Sequence, residues 1–223
     1  KKGKDFLFAY NLDVNPKIFD YKIYKNKNYF TIGIKIGSTT YFTHGINVNG
    51  NIANLPFCNG KIFKGTKNTE KERLDLLVNK LIRGKYSFLD VEDILNSKEI
   101  VDNGNFSMHS LLIENTGRTF LVEPGYKPKE ILDKQFVITN FPLSIELGDY
   151  SNPFYGYNRY ITVNDILKKS DDDFSYMDAL KVLERAKQDG EYATRVSFVY
   201  SRNNRTVYYC LNRDFEHIFE HKF

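Results

Sequence analysis

A cysteine, a histidine and an asparagine occur in the order in which a thiol hydrolase could use them, as Cys58, His109 and Asn140. In such a set the histidine takes the proton of the thiol, and the asparagine orients the histidine ring. The residues after Cys58 are Asn, Gly and Lys61, with no helical pattern. Because no helix N-terminus is there to lower the pKa of the thiol, this set remains an alternative and not the main hypothesis.

His217 and His221, near the chain end, are four residues apart, with Glu216 and Glu220 beside them. On a helix this spacing places two side chains on one face, where two imidazoles could bind zinc together. The order of the residues differs from the His-Glu-x-x-His pattern of zinc hydrolases. A solvated terminal turn explains the same residues, so we predict no metal site here.

Four further segments carry Asp, Asn and Arg residues in a fixed order along the chain. Each alone is weak evidence, because short strings such as Asn-Leu-Asp occur by chance in many proteins. Their order and spacing are more informative, and together they extend over most of the chain. The segments are Phe8-Ala-Tyr-Asn-Leu-Asp13; Gly45-Ile-Asn-Val-Asn-Gly50 with Ile52-Ala-Asn-Leu55; His109-Ser-Leu-Leu-Ile-Glu114 through Gly117-Arg-Thr-Phe-Leu-Val-Glu123 to Val137-Ile-Thr-Asn140; and Tyr157-Asn-Arg159.

This ordered set resembles the linear amide hydrolases of the choloylglycine hydrolase and penicillin V acylase superfamily, which are N-terminal nucleophile hydrolases. The segments are similar, in order, to the family's Gly-Arg-Asn-x-Asp, Asn-Glu-x-Gly-Leu, Val-Val-Glu with Leu-Thr-Asn, and Ser-x-Arg elements. The resemblance implies an α+β fold, a four-layer αββα sandwich. It also implies hydrolysis of a linear non-peptide amide, or transfer of its acyl group, through a thioester on an N-terminal cysteine, without cofactor or metal.

The resemblance assigns a role to each matched residue. In this family the α-amine of the N-terminal cysteine, a group whose pKa is ordinarily about 7.7–8.0, serves as base for its own thiol. Asp13 would accept a hydrogen bond from that amine, Asn140 would orient the amine or the substrate, and Arg159 would be a fixed cation beside them. Tyr10 and Asn54 would be substrate or oxyanion contacts, and Asn54 is several positions away from its family counterpart.

The sequence departs from the family pattern in two places. The family's cysteine is expected a few residues before Lys1, so the nucleophile and its part of the first strand would lie upstream of this sequence. Tyr10 stands where the family has an arginine, and a phenol cannot replace a guanidinium as a permanent cation. A catalytically inactive relative that binds an acylated ligand on the same fold is therefore the main alternative, ahead of the thiol hydrolase that would use Cys58.

The elements that must position these residues are strands and helices in alternating groups. Runs of aromatic and β-branched residues predict strands, and apolar residues every three or four positions predict helices. The clearest helix is 69–83, where Thr69 and Glu72 have the spacing of a capping box and Gly84 follows as a stop. Predicted strands are 6–10, 29–36, 39–43, 107–114, 118–123, 136–139, 195–200 and 206–211, and predicted helices are 69–83, 91–96, 159–168 and 176–188.

The composition is that of a folded domain. The 223 residues are 41% hydrophobic, which suffices for a single domain, 1–223, with a substantial core. The net charge of +4 is the difference between 32 basic and 28 acidic residues spread along the chain, so we predict no nucleic-acid partner. No apolar run approaches the ~20 residues of a membrane span. The chain has only two cysteines, so we predict a cytoplasmic protein. We predict a small-molecule acyl amide as its substrate and no membrane partner, and homo-oligomerisation is left open.

Overall fold

Two antiparallel sheets form the centre of the computed structural model, which describes residues 3–67, 69–144 and 155–223. The smaller sheet has the strand order β1-β11-β12-β13, and the larger has the order β10-β9-β8-β5-β4-β3-β2. The strands are β1 (Leu7–Asp13), β2 (Asp20–Asn26), β3 (Tyr29–Ile36), β4 (Thr39–Asn47), β5 (Ile52–Ala53), β6 (Lys71–Arg73), β7 (Glu99–Val101), β8 (Ser110–Ile113), β9 (Thr119–Val122), β10 (Lys129–Ile131), β11 (Thr194–Ser201), β12 (Thr206–Leu211) and β13 (Asp214–Lys222). The helices are α1 (Leu74–Ile82), α2 (Phe88–Ser97), α3 (Tyr157–Lys168) and α4 (Tyr176–Arg185).

The alternation of side chains along each strand divides the interior into three apolar layers. Between the sheets, Phe8 of β1 and Phe198 of β11 pack with Phe30 of β3, and the rings of Phe30 and Phe198 are 5.7 Å apart. The neighbouring residues Leu7 and Val199 face the other way, toward α4. Helices α1 and α2 cover the outer face of the larger sheet. The predicted αββα sandwich is confirmed.

The first helix begins later than its sequence pattern predicts. Residues 71–73 form β6, which pairs in parallel with β7, and α1 starts at Leu74. The predicted capping box of Thr69 and Glu72 is therefore wrong: Thr69 donates to the Glu99 carboxylate at 2.7 Å, and Glu72 accepts from Lys80 at 2.9 Å. Strand pairing has overridden a local signal here. The predicted stop at Gly84 is correct, since its N–H closes the helix on the Leu81 carbonyl.

The other helices follow the sequence closely. Ser175 caps α4 as predicted, and its hydroxyl accepts from the N–H of Asp178 in a full capping box. The same arrangement of Ser87 and Asp90 begins α2, three residues before the predicted start. The hairpin of β8 and β9 and the hairpin of β11 and β12 are both present. None of the helices in the described residues is long and apolar enough to cross a membrane.

Strands β2, β5, β7 and β10 were not predicted, and two further segments that carry candidate residues also differ from the prediction. Residues 136–139 are not a strand: the whole stretch 132–144 lacks regular structure. Residues 214–222 form β13, paired with β12, so the helix that a zinc site at His217 and His221 needs does not form. Four residues of strand span roughly 13 Å, which is too far for two ligands of one ion. His217 instead contacts Asp214 at 2.8 Å.

Phe198→Ala should test whether the layer between the sheets holds the fold together. The ring is fully buried and contacts aromatic rings from both sheets, so we expect the free energy of unfolding to fall by about 3–5 kcal/mol. Phe219→Ala, on the exposed side of β13 with 46% of the residue accessible, is the control and should cost under about 1 kcal/mol. Urea unfolding of both variants gives the two values, and equal losses would contradict this description of the core.

Candidate active site

Three predicted site residues that lie far apart in sequence meet at the end of β1. Nη1 of Arg159 donates to Oδ2 of Asp13, and Nη2 donates to Oδ1 of Asn140 at 2.7 Å. Asp13 is the last residue of β1, Arg159 lies in the first turn of α3, and Asn140 lies in the irregular stretch 132–144. One guanidinium therefore links a strand, a helix and a loop. The roles that the resemblance assigns to these residues remain predictions.

The Asp13 carboxylate has two more donors that the sequence did not reveal. Nε2 of Gln188 donates to Oδ2 at 2.7 Å, and the Thr194 hydroxyl donates to Oδ1 at 2.5 Å. Burial raises the pKa of Asp13, because the loss of water outweighs the stabilisation of the charge by Thr194, Arg159 and Gln188. Neither Gln188 nor Thr194 belongs to a motif. Gln188 lies shortly after the end of α4, and Thr194 is the first residue of β11. The register of β1 against β11 shifts after Leu12, at the residue that carries the carboxylate.

Asn140 acts as a cross-link between Arg159 and a second loop. Its Nδ2 donates to the carbonyl of Phe57 at 3.0 Å while its Oδ1 accepts from Arg159. Its own carbonyl accepts from the N–H of Asn59 at 2.6 Å. The oxygen and the nitrogen of the amide are each engaged, so the geometry favours a positioning role for Asn140.

Helix α3 can start beside this cluster because its N-cap is glycine. Gly156 has φ 88°, in the left-handed region, and a Cβ there would lie 3.2 Å from the Thr139 side chain and 3.3 Å from Nη2 of Arg159. A larger residue would push against the guanidinium. The glycine therefore permits the close approach of the helix to the stretch that carries Asn140.

A cavity of about 260 Å³ lies along β1 and has the Asp13 cluster in its wall. Most of its lining is apolar, with polar residues among it, which is typical of a small-molecule site. They include Tyr10, His44 and Asn54 as well as the cluster of Asp13, Asn140 and Arg159.

One long side of this cavity is the outer edge of a sheet. β1 is the end strand of the smaller sheet in the part of the chain that the structure describes. The carbonyl of Phe6 accepts a hydrogen bond from the N–H of Arg202, beside β11. In an antiparallel ladder the backbone groups of every second residue point toward the same neighbour. Those of Ala9 and Asn11 therefore point away from β11, toward the outer edge of the sheet. That side is available for pairing with a further strand.

Tyr10 and His44 form a polar pair in the cavity wall. The Leu55 N–H donates to Nδ1 of His44 at 3.0 Å, so in the neutral ring the proton is on Nε2, which lies 3.2 Å from the Tyr10 hydroxyl oxygen. Burial lowers the pKa of His44 to about 3, which keeps the ring neutral. The Tyr10 oxygen is then the acceptor, and its own O–H can donate to a ligand.

Asn54 also has an uncommitted donor. Its Oδ1 accepts from the N–H of Leu111 at 2.7 Å, which fixes the side chain, and its Nδ2 forms no hydrogen bond within the described residues. The residue is buried and lines the cavity. Its amide N–H groups are thus a second possible contact for a carbonyl oxygen.

The alternative set around Cys58 does not have the geometry of a nucleophilic site. Burial, reinforced by the Glu123 carboxylate, raises the pKa of the Cys58 thiol far above its usual range. Nε2 of His109 donates to the Thr139 carbonyl at 2.7 Å, and Nδ1, the nitrogen that could take a thiol proton, faces Oε1 of Glu123 at 3.3 Å. Asn140 is hydrogen-bonded to Arg159 and Phe57, not to His109. The geometry therefore does not support the thiol hydrolase.

The buried His44 should make the protein less stable in acid. Its folded pKa of about 3 lies below the ordinary histidine pKa of 6.5, so the unfolded chain binds a proton first as the pH falls below about 6.5. Between pH 7 and pH 4 this should remove about 3 kcal/mol of unfolding free energy, at about 1.4 kcal/mol per pH unit. Urea unfolding at both pH values should show that the unfolding free energy of His44→Gln falls by about 3 kcal/mol less than that of wild type. His217→Gln, at an exposed histidine, should behave like wild type; an unchanged loss in His44→Gln would contradict the assignment.

Comparison with known proteins gives matches to solved structures alone: no protein-family model matches the sequence, and no curated protein does. A variant of the conjugated bile acid hydrolase from Clostridium perfringens aligns over 98% of this chain and 89% of its own, with TM-score 0.66 and 14% identity. Penicillin V acylase from Agrobacterium tumefaciens aligns over 95% and 81%, with TM-score 0.63 and 11% identity. A Caenorhabditis elegans N-acylethanolamine-hydrolyzing acid amidase ortholog aligns over 90% of both chains, with TM-score 0.61 and 12% identity. Identities this low establish the architecture alone: the chain shares its αββα fold with these three solved structures.

Proposed function

We propose that this protein is a hydrolase that cleaves the carbon–nitrogen bond of a linear, non-peptide amide, using an N-terminal cysteine that precedes Lys1. The observation that carries the proposal is the Asp13 carboxylate, held by Arg159, Gln188 and Thr194 in the wall of an apolar cavity. A carboxylate fixed in this way can hold the α-amine of a nucleophilic residue in place. The likeness of the fold to three amide-cleaving enzymes supports the same conclusion.

The position of β1 as the end strand of its sheet in the described residues supports an entry route for the nucleophile. A segment that pairs antiparallel with β1 and joins it through a turn near Gly3 would run in the opposite direction to β1. Its first residue would then lie at the Asp13 end of the strand, beside the carboxylate. β1 has seven residues, so a segment of similar length would suffice.

The chemistry would use the cysteine as nucleophile and its own amine as base. The amine takes the thiol proton, the thiolate attacks the amide carbonyl, and the tetrahedral intermediate collapses as the leaving amine receives that proton. The amine of the cysteine then takes a proton from a water molecule as the water attacks the thioester, and returns it to the departing thiolate as the acid is released. The Tyr10 hydroxyl and the Asn54 amide are the donors proposed for the oxyanion, each good donor contributing about 3 kcal/mol.

The cavity is suited to bind a substrate through an uncharged acyl group. Tyr10 replaces a cation of the family pattern, and its partner His44 is neutral, so this part of the wall offers hydrogen bonds without a compensating charge. The apolar lining would stabilise a hydrocarbon or aromatic acyl chain by burial.

A burst experiment on the mature protein isolated from its cells tests the proposal. We expect N-terminal sequencing to find a cysteine upstream of Lys1. A fatty acyl p-nitroanilide should give a rapid release of one nitroaniline per chain, abolished by prior iodoacetamide. A mature N-terminus at Lys1 together with no amide cleavage would refute the proposal.

The second candidate is a binding protein on the same fold, and the replacement of the family arginine by Tyr10 favours it. Such a protein would hold an acylated ligand in the cavity without forming an acyl-enzyme. Saturable binding of the acyl p-nitroanilide without any burst, in protein with an intact mature N-terminus, would select this candidate.

Tyr10→Phe should separate a catalytic hydroxyl from a wall residue. If the hydroxyl stabilises the oxyanion, kcat falls roughly 100-fold while KM changes little. Tyr24→Phe is the control, because Tyr24 packs on Phe42 outside the cavity, and its kcat should stay as in wild type. An unchanged kcat in Tyr10→Phe would remove Tyr10 from the oxyanion site.

A further inference from the structure

Cys58, His109 and Glu123 bring three different ligand types to one point, outside the Asp13 cluster. One ligand atom from each lies within 4.8 Å of the others, and all three residues are buried. They come from three separate places in the chain: the loop after β5, the residue before β8 and the residue after β9. Three donors from separate elements make a site that the fold, and not a local turn, has assembled.

The proton positions on His109 leave one nitrogen facing an anion. Nε2 donates to the Thr139 carbonyl at 2.7 Å, so Nδ1 is the atom that faces Oε1 of Glu123 at 3.3 Å. Burial opposes the charge of Glu123, but the donors His109, Ser144 and Leu143 lower its pKa overall. A bare Nδ1 would set its lone pair against a carboxylate, so either a proton or a cation must lie between them.

The surroundings of the thiol are also negative. Glu123 and Asp102 both act on Cys58 through their charge. Within the described ranges, neither carboxylate forms a salt bridge with a lysine or arginine, and Glu123 is paired with His109 alone. A cation placed among these groups would therefore meet an excess of negative charge.

We propose that Cys58, His109 and Glu123 bind a four-coordinate divalent cation of the zinc type, with a water molecule as the fourth ligand. Thiolate, imidazole and carboxylate are all zinc ligands, at about 2.0–2.3 Å. Two tetrahedral ligands at about 2.0–2.1 Å are roughly 3.3 Å apart, which is the observed separation of Nδ1 and Oε1. One thiolate and one carboxylate neutralise the two charges of the ion, and binding releases the thiol proton and any proton on Nδ1.

The contact between His109 and Thr139 fits this arrangement. A histidine that binds metal through one nitrogen commonly donates its other N–H to a backbone carbonyl, which fixes the ring. That carbonyl belongs to the irregular stretch 132–144, and Glu123 holds the same stretch through the N–H groups of Leu143 and Ser144 at 2.8 and 2.7 Å. The ion would anchor the loop that carries Asn140. This role is independent of the proposed amide hydrolysis.

Cobalt titration of the metal-free 223-residue chain tests the site. We expect one equivalent of Co²⁺ to bind with a thiolate-to-cobalt charge-transfer band and the intense visible bands of tetrahedral cobalt, and Zn²⁺ to displace it. Cys58→Ser should lose the charge-transfer band and bind Co²⁺ on the order of 100-fold more weakly. The absence of stoichiometric binding, or a spectrum without thiolate, would overturn the proposal.

Cys210→Ser is the matched control, because Cys210 is the other of the two cysteines and is buried on β12. It should keep the wild-type spectrum. This control identifies the ligand even if Cys58→Ser does not fold, since a band that survives in Cys210→Ser must come from Cys58. Loss of the band in Cys210→Ser alone would refute the site.

Hydrogen exchange gives a readout of the anchoring role. Zn²⁺ should slow exchange at the amides of Leu143 and Ser144, which donate to Glu123, and leave the amides of β12 unchanged. Glu123→Gln should abolish that protection. Stoichiometric binding without any change at these two amides would refute the anchoring of the loop.

Discussion

The hydrogen bonds of Arg159 are the interaction on which the organisation of the candidate site depends. A charge as little exposed as this one is tolerated only when its partners are in place, because removing one partner would leave the other charge buried and uncompensated. The guanidinium presents its donors in a rigid plane, so it can serve Asp13 and Asn140 at once, which a lysine ammonium could not do in the same geometry. Gln188 and Thr194 replace the hydration that Asp13 has lost.

This requirement explains the unusual backbone around the site. The stretch 132–144 has no strand or helix to hold it, yet Asn140 must reach Arg159. Its backbone is fixed instead by side chains: His109 binds the Thr139 carbonyl, and Glu123 binds two amides further along. The glycine at position 156 then allows α3 to approach. A buried polar network thus replaces sheet pairing, and the proposed cation at Cys58 would reinforce that network.

The cavity and the edge of β1 belong together. Among the described strands β1 is the end strand of its sheet, and its outer edge lies along the cavity. The cavity wall carries a neutral pair, Tyr10 and His44, beside the charged Asp13 and Arg159. This pair can therefore offer a hydrogen bond to a carbonyl oxygen without adding a charge to the wall.

Local sequence was sufficient to predict the strands and helices whose local preferences agree with their tertiary contacts. The alternating β-branched and aromatic residues of β3, β4, β8, β9, β11 and β12, and the serine cap of α4, need only near neighbours, so they were predicted correctly. The family resemblance pointed to Asp13, Asn140 and Arg159, which the structure brings into contact, while their roles stay predictions. Thr69 and Glu72 had an equally good local signal, but pairing between β6 and β7 overrode it. Residues 136–139 likewise had strand composition but no strand with which to pair.

Tertiary structure alone decided which atoms meet. Asp13 and Gln188 are 175 residues apart in sequence, and Asp13 and Thr194 are 181 apart. No periodicity or capping rule relates residues at such distances, since their contact depends on the packing of two sheets and on the shift in register at the end of β1. The same is true of Tyr10 with His44 and of Cys58 with His109 and Glu123. The sequence identified the chemical types, and the packing of the sheets and of one irregular loop turned them into sites.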